Sequence, residues 1–389
     1  MGGARGRSRP EAEEGPDRTQ PGTGKTEAGR RFEDGRRFEG GRPDGGQWYD
    51  GGRRLEGGPL EDGPFGRASA SGRGVPWGRV RRAVLAGVVA AAVALPVSAA
   101  ARPRVPAPPP AQLGTVSAAT LDTAYAANRA NITEAARMAE AHGDHRRASA
   151  ERTMAVPTRH FLTFDGRGPG RAAEVFGDLA HATRVAVLVP GSDTTLDTYE
   201  RFRAGAFALH KRLEGTSTAR TAVVAWLGYE TPGTVSPAVL TTGRADEAAP
   251  GLRAFVSELR GIAGPDAALT LLCHSYGSVV CARAAGGLAV SDIALFGSPG
   301  TGADSVEGLH TSARVWAARG ADDWIANVPH TRADLFGTTL GFGTDPVSPA
   351  FGARVFSARD ADHSGYLAPG SHSLANLARI VLGETAEVG

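Results

Sequence analysis

The chain has 389 residues, with 53 Gly and 25 Pro unevenly spread and 43 Lys plus Arg against 41 Asp plus Glu. Residues 1–82 hold 17 basic and 13 acidic side chains, whereas from residue 113 onward 24 basic side chains stand against 28 acidic ones. The part able to fold is therefore mildly acidic, which argues against a nucleic-acid partner, and two cysteines supply neither a four-ligand structural zinc site nor a disulfide-dense miniature.

Residues 1–78 combine Gly, Arg, Glu and Pro with few aliphatic side chains, so burial cannot offset the roughly 1–2 kcal/mol per residue of backbone ordering entropy. A disordered tail is expected. Arg30–Gly35 (RRFEDG) recurs at Arg36–Gly41 (RRFEGG) and at Arg53–Gly58 (RRLEGG), a low-complexity repeat with too little apolar surface to stack. Gly22-Thr23-Gly24-Lys25-Thr26 imitates the end of a phosphate-binding loop. The first glycine of that pattern falls at Thr19, however, and no strand precedes it.

Residues 79–101 carry the three parts of an export signal. These are Arg79, Arg81 and Arg82, an apolar run from Ala83 to Val97, and the small residues Ser98-Ala99-Ala100-Ala101. Val97-Ser98-Ala99 offers a cleavage site, and the Ala-rich run broken by Pro96 makes a weak spanning helix, so a cleaved signal is preferred over a retained anchor. The long leader leaves two explanations. Either the start lies further in, near Val75 or Val80, or the segment stays as an anchor, associated with the membrane through residues 83–101 and with its Arg-rich tail inside. Both put the folded part outside the cytoplasm, secreted or extracytoplasmic. Residues 102–112 form a Pro-rich, semi-rigid linker.

From residue 113 to 158 a helical lead-in is expected, with Leu121, Tyr125 and Ile132 at helical spacing and a second piece ending near Met154. The domain proper is read as residues 159–389. Its β-rich runs are His160–Phe164, Arg184–Val189, Thr221–Leu227, Leu269–Cys273, Asp292–Phe296, Arg314–Ala317 and Arg354–Phe356. Helical stretches are expected at 171–181, 197–213, 247–263, 277–287 and 372–382. Continuous apolar strands such as VAVLV and LTLLC suit a sheet covered on both faces, and the alternation implies parallel pairing. The fold class is α/β, a doubly wound, mostly parallel sheet.

Leu269–Cys273 runs into His274-Ser275-Tyr276-Gly277-Ser278 and then into an apolar helix. This is a G-x-S-x-G nucleophile elbow with Cys273 in place of the first glycine, and it lifts Ser275 above the carboxyl ends of the strands. Small residues are needed two positions either side of the serine because strand and helix pass close together.

A serine hydroxyl needs a base and an orienting carboxylate, here in the order Ser, acid, His. Arg319–Ile325 follows a strand and carries two carboxylates. Asp323 is preferred because Trp324-Ile325 can fix the loop, and Asp322 reads as a solvated neighbour or cap. His363, in the loop after the last strand, is the preferred base. His372 belongs to the first turn of the final helix with Ser371 as its cap, His274 reads as a packed loop side chain, and His310 and His330 lack a strand-end setting.

The oxyanion needs two aimed backbone N–H groups, read as Tyr276 on the elbow and Ser192 in the loop Val189–Thr194. Asp193 has no second ligand nearby in sequence, so no metal is expected, nor any other cofactor. Thr231–Asp246 is the segment suspected of covering the pocket. Two reduced, buried thiols are the simpler reading of Cys273 and Cys281; a disulfide pinning the elbow in an exported protein is the alternative, since the pair can approach across the strand–helix contact.

The pieces Val187–Gly191, Ala225–Tyr229 with Pro232, Cys273–Ser278, Asp292–Gly300 and His363–Tyr366 resemble a bacterial α/β-hydrolase family long catalogued as a domain of unknown function. They span about residues 160–382 in the expected order. The resemblance implies a Ser–Asp–His triad, by position Ser275, Asp323 and His363, and departs from the family at Cys273, where glycine is usual. It implies hydrolase chemistry and leaves the substrate open. The resulting expectation is an exported serine hydrolase of the esterase or lipase type, acting on a small-molecule or lipid ester with no protein partner implied. An acyltransferase with the same triad and a non-catalytic surface-binding protein on the same fold are the alternatives.

Overall fold

The computed structural model describes Gly2 and residues 105–335 and 338–389. The expected disordered tail, the export or anchor segment 79–101 and the start of the Pro-rich linker lie outside the described residues. Every element below falls within one compact unit, Trp77–Gly389.

Two helices come first, α1 (Leu121–Ala141) and α2 (His145–Met154), as the apolar spacing predicts. They are part of the packed body. Leu121, Ala124 and Tyr125 enter the same core as the sheet, and the buried amide of Asn128 donates to the carbonyls of Phe161 and Leu162 at 3.0 and 2.8 Å.

The sheet then forms from β1 (His160–Asp165), β2 (Arg171–Phe176), β3 (Arg184–Val189), β4 (Thr221–Leu227), β5 (Ala268–His274), β6 (Asp292–Phe296), β7 (Arg314–Ala318) and β10 (Arg354–Val355). A separate hairpin joins β8 (Ala333–Leu335) to β9 (Thr338–Leu340). The helices between are α3 (Tyr199–Glu214), α4 (Gly243–Ala263), α5 (Gly277–Ala284) and α6 (His372–Leu382).

Strand order is β1-β2-β4-β3-β5-β6-β7-β10, parallel from β4 to β10 and antiparallel across β1-β2 and β2-β4. Side chains alternate between two cores, as a strand period of two requires. Val185, Val187 and Val189 meet α4 and α5 on one face, whereas Ala186 and Leu188 meet α3 and α6 on the other. Each fully buried Val or Leu contributes roughly 1.5–3 kcal/mol, so two dry faces on five neighbouring strands dominate the stability of the unit.

One stretch differs from the sequence reading. Residues 171–181, expected as a helix from Arg-Ala-Ala-Glu, form strand β2 followed by a single helical turn, Leu179–His181. Helix propensity is overridden because the strand is buried between β1 and β4. Its buried charged residue, Glu174, is neutralised by Arg159, whose guanidinium donates to both carboxylate oxygens at 2.8 and 2.7 Å, with Arg203 adding a third bond at 3.0 Å. The two antiparallel pairings fall at this edge, and the sheet is mostly parallel, as expected.

Chain order reverses between β3 and β5, where the connections leave toward opposite faces. The carboxyl ends of these two strands, with Val189 opposite Cys273, open the crevice in which the site is built.

Candidate active site

Strand β5 ends at His274 and helix α5 starts at Gly277, so Ser275 occupies a turn of two residues. Its φ is 52°, a left-handed conformation that costs a side-chain-bearing residue energy. Three bonds hold it there. Ser275 N–H donates to Phe296 O at 3.0 Å, Ser278 N–H to Ser275 O at 2.9 Å, and Ser278 Oγ to Cys273 O at 3.0 Å. A Cβ on Gly277 would lie 2.6 Å from both Val189 O and Pro190 O, so glycine is required two residues after the serine. The close approach is thus to the carbonyls at the end of β3.

The two cysteines are joined in a disulfide that ties the end of β5 to the middle of α5 and encloses the elbow. Of the two alternatives read from sequence, the bonded one is found.

Strand β7 delivers Asp323 and the loop after β10 delivers His363. Ser275 Oγ stands 3.0 Å from His363 Nε2, and His363 Nδ1 stands 2.8 Å from Asp323 Oδ1. The carboxylate accepts a hydrogen bond from Nδ1–H, which leaves Nε2 to accept from the serine hydroxyl. Asp323 is buried while His363 and Ser275 are only just reachable from solvent. Burial works against the Asp323 anion, yet the donors from His363, Tyr366 and the Ile325 amide outweigh it and hold the carboxyl below its ordinary range.

Asp322 is exposed, as expected for the neighbour. The expected reason for choosing Asp323 holds in half: Ile325 is buried, whereas Trp324 stays 50% exposed with its ring 4.6 Å from that of His363. His372 opens α6, and Ser371 caps that helix by accepting from Leu374 N–H at 3.1 Å.

Tyr276 and Ser192 both border a cavity of about 580 Å³ that also contains Ser275 and His363. Its walls are largely apolar, with Leu188, Phe202, Phe296, Val328, Phe342 and Leu367 prominent. The suspected covering segment contributes Thr234, Val239 and Leu240.

That segment, together with Tyr229 just before it, also fixes the loop after β3. Tyr229 Oη donates to Pro190 O at 2.7 Å, Asp193 N–H donates to Pro232 O at 3.1 Å, and the Asp193 carboxylate accepts from Thr234 N–H at 3.2 Å. Asp193 therefore serves as a strap between two loops.

Two residues with roles here were missed from sequence. Tyr366 Oη donates to Asp323 Oδ2 at 2.6 Å and accepts from Gly320 N–H at 2.9 Å. His274, read as a packed side chain, is packed, and its Nε2 also contacts His363 O at 2.7 Å. Burial and the neighbouring His363 push its pKa down to about 4, so it stays neutral and donates that bond. The only sequence signal for Tyr366 was its place in the short string His363–Tyr366; a contact 43 positions back to Asp323 leaves no local pattern.

Residues 165–333 match the family described as α/β hydrolase, a span that includes Ser275 and Asp323 and ends before His363. An uncharacterized protein of Mycobacterium tuberculosis is 30% identical over 247 residues, which is 56% of this chain and 37% of that protein. An uncharacterized protein of Mycobacterium bovis is 32% identical over 168 residues, 40% of this chain and 63% of that one. The chain thus spans less than two thirds of either relative. Among solved structures, a lidless α/β serine hydrolase from Xanthomonas campestris aligns with a TM-score of 0.37 at 19% identity, covering 59% of this chain and 95% of its own. An esterase domain from a Rhodothermus marinus protein aligns with a TM-score of 0.32 at 16% identity, covering 56% and 93%. The mostly parallel sheet with helices on both faces is an α/β fold, and its residues 165–333 are similar to the α/β-hydrolase family.

Proposed function

We propose that the protein is a serine hydrolase that cleaves an ester-type acyl group through Ser275, with His363 as base and Asp323 as its orienting anion. The observation that carries this reading is the unbroken chain of two hydrogen bonds from Ser275 Oγ through the His363 ring to Asp323 Oδ1, at 3.0 and 2.8 Å, opening onto an apolar cavity.

In this mechanism Ser275 Oγ bonds to the carbonyl carbon as its proton passes to His363 Nε2. The oxyanion is received by the N–H groups of Tyr276 and Ser192. Collapse breaks the bond to the leaving oxygen, which takes the proton from His363 and departs as an alcohol. Water then enters, gives a proton to His363 and attacks the acyl-enzyme. The acid leaves and the proton returns to Ser275.

The apolar walls favour an acyl chain over a charged one. A buried methylene is worth about 0.8 kcal/mol, so the four added from an acetyl to a hexanoyl ester should raise kcat/KM by up to ~200-fold. The disulfide near the nucleophile supports an extracytoplasmic location, since such bonds persist in oxidising compartments. Among the described residues no helix is long and apolar enough to cross a membrane, and segment 79–101 lies outside them.

Ser275→Ala tests the assignment, assayed with p-nitrophenyl esters of increasing chain length and with a fluorophosphonate probe. Turnover and labelling are expected to vanish while the circular dichroism spectrum stays unchanged. Persistent labelling in the variant contradicts the reading.

A further inference from the structure

A buried carboxylate has to find hydrogen-bond donors for both oxygens, and Asp323 is only 2% exposed. Its Oδ1 takes the Ile325 amide at 2.9 Å and His363 at 2.8 Å. Its Oδ2 receives the phenol of Tyr366 at 2.6 Å, with no other donor among the described residues. Space on that side is closed by Gly297, at φ 58°. A Cβ there would lie 3.1 Å from Asp323 Oδ2, 3.1 Å from Tyr366 Cε2 and 3.4 Å from His363 Cε1.

The phenol is itself aimed. Gly320 N–H donates to its oxygen at 2.9 Å, which directs the hydroxyl hydrogen toward Asp323. The ring is 1% exposed between Phe296 and His274, with centroids 5.4 and 5.9 Å away. Its backbone carbonyl accepts from Ser371 Oγ at 3.2 Å and from Ser373 Oγ at 2.6 Å.

We propose that Tyr366 is a positioning residue of the reaction, and that its hydroxyl, independently of its ring, keeps Asp323 an oriented anion beneath His363. The proposal rests on the Ser275 reading above. Removing the hydroxyl leaves Oδ2 buried without a donor, so the carboxylate becomes more basic and freer to turn. A more basic carboxylate favours the imidazolium, and protonated His363 cannot take the serine proton. The other titratable groups around the cluster do not replace this contact. His274 is neutral, Arg319 is paired with Asp345, Asp322 and Asp362 are exposed, and Asp362 is turned to Ser364 N–H at 2.8 Å.

Tyr366→Phe in the full chain is the test, read as kcat, KM and the pH profile of kcat/KM on p-nitrophenyl butyrate, beside thermal unfolding. The expected result is kcat lower by ~10-fold or more, KM within about twofold, and the acid limb moved to higher pH. A variant that unfolds earlier yet keeps kcat and the acid limb assigns Tyr366 to structure alone and overturns the proposal. Where the phenylalanine variant does not fold, difluorotyrosine at 366 takes its place. It has nearly the same shape and is a stronger donor, so the acid limb should move to lower pH; an unmoved limb overturns the proposal. Ser275→Ala separates the two levels. If it stays active, the serine reading itself fails. If it is dead while Tyr366→Phe is unchanged, only the role of Tyr366 falls.

Discussion

The chemistry at the residue scale depends on which proton sits where. Asp323 Oδ1 fixes the His363 tautomer by accepting from Nδ1, and a neutral amide at 323 would present either a donor or a weaker acceptor to that nitrogen. Asp323→Asn is therefore expected to lower kcat by ~10³-fold or more with little change in KM, checked by steady-state kinetics on a short p-nitrophenyl ester. A loss below tenfold would place the orienting role elsewhere. The convergence of Ser275, Asp323 and His363 was legible in the sequence through their loops at strand ends, Ser275 and Asp323 after the buried strands β5 and β7 and His363 after the short, exposed β10. Tyr366 and Gly297 were not. Tyr366 acts through a contact that exists only once β7 and the loop after β10 are neighbours, and Gly297 reads as an ordinary turn until its left-handed backbone is seen against the carboxylate.

Elements divide along the same line. Strands β3, β5 and β6 announce themselves as unbroken apolar runs because both of their faces are dry, and α6 does so through Ser371 at its cap and Gly383 at its end. Strand β2 hides, since Arg-Ala-Ala-Glu suits a helix until a buried guanidinium is placed opposite Glu174.

Helix α2 carries a different tension. Both oxygens of Glu151 are buried without a hydrogen-bond partner, and burial raises its pKa to about 7, against 4.5 for an unhindered carboxyl; Asp197 and Asp144 add to the shift and Arg147 opposes it. Between these pH values the unfolded chain holds fewer protons than the folded one, so stability falls as pH rises from about 4.5 to about 7 and then levels off. The cost above neutrality is on the order of 3 kcal/mol. Glu151→Gln should thus raise the urea midpoint at pH 8 and leave it nearly unchanged at pH 4. Equal effects at both pH values would show that the carboxyl does not titrate in this range.

Across the whole molecule, the site draws on four separated stretches brought to one edge of the sheet: the loop after β3, the elbow after β5, the loop after β7 and the loop after β10. The switch in chain order between β3 and β5 makes room for them; α1 is tied to β1 through Asn128, and Arg147 of α2 bonds Asp197 at 2.7 Å in the connection from β3 to α3. The candidates were ranked by the chain order Ser, acid, His together with their loop settings at strand ends, and this winding brings those loops together. The claim that all of this serves covalent catalysis is tested most directly by trapping the intermediate. The full-length protein is mixed briefly with p-nitrophenyl butyrate, quenched in acid and mapped by peptide mass spectrometry. The account predicts a butyryl group on the peptide containing Ser275, at the Ser275 hydroxyl, and its absence from Ser275→Ala. A butyryl group on another side chain, formed and lost at the rate of turnover, would contradict it.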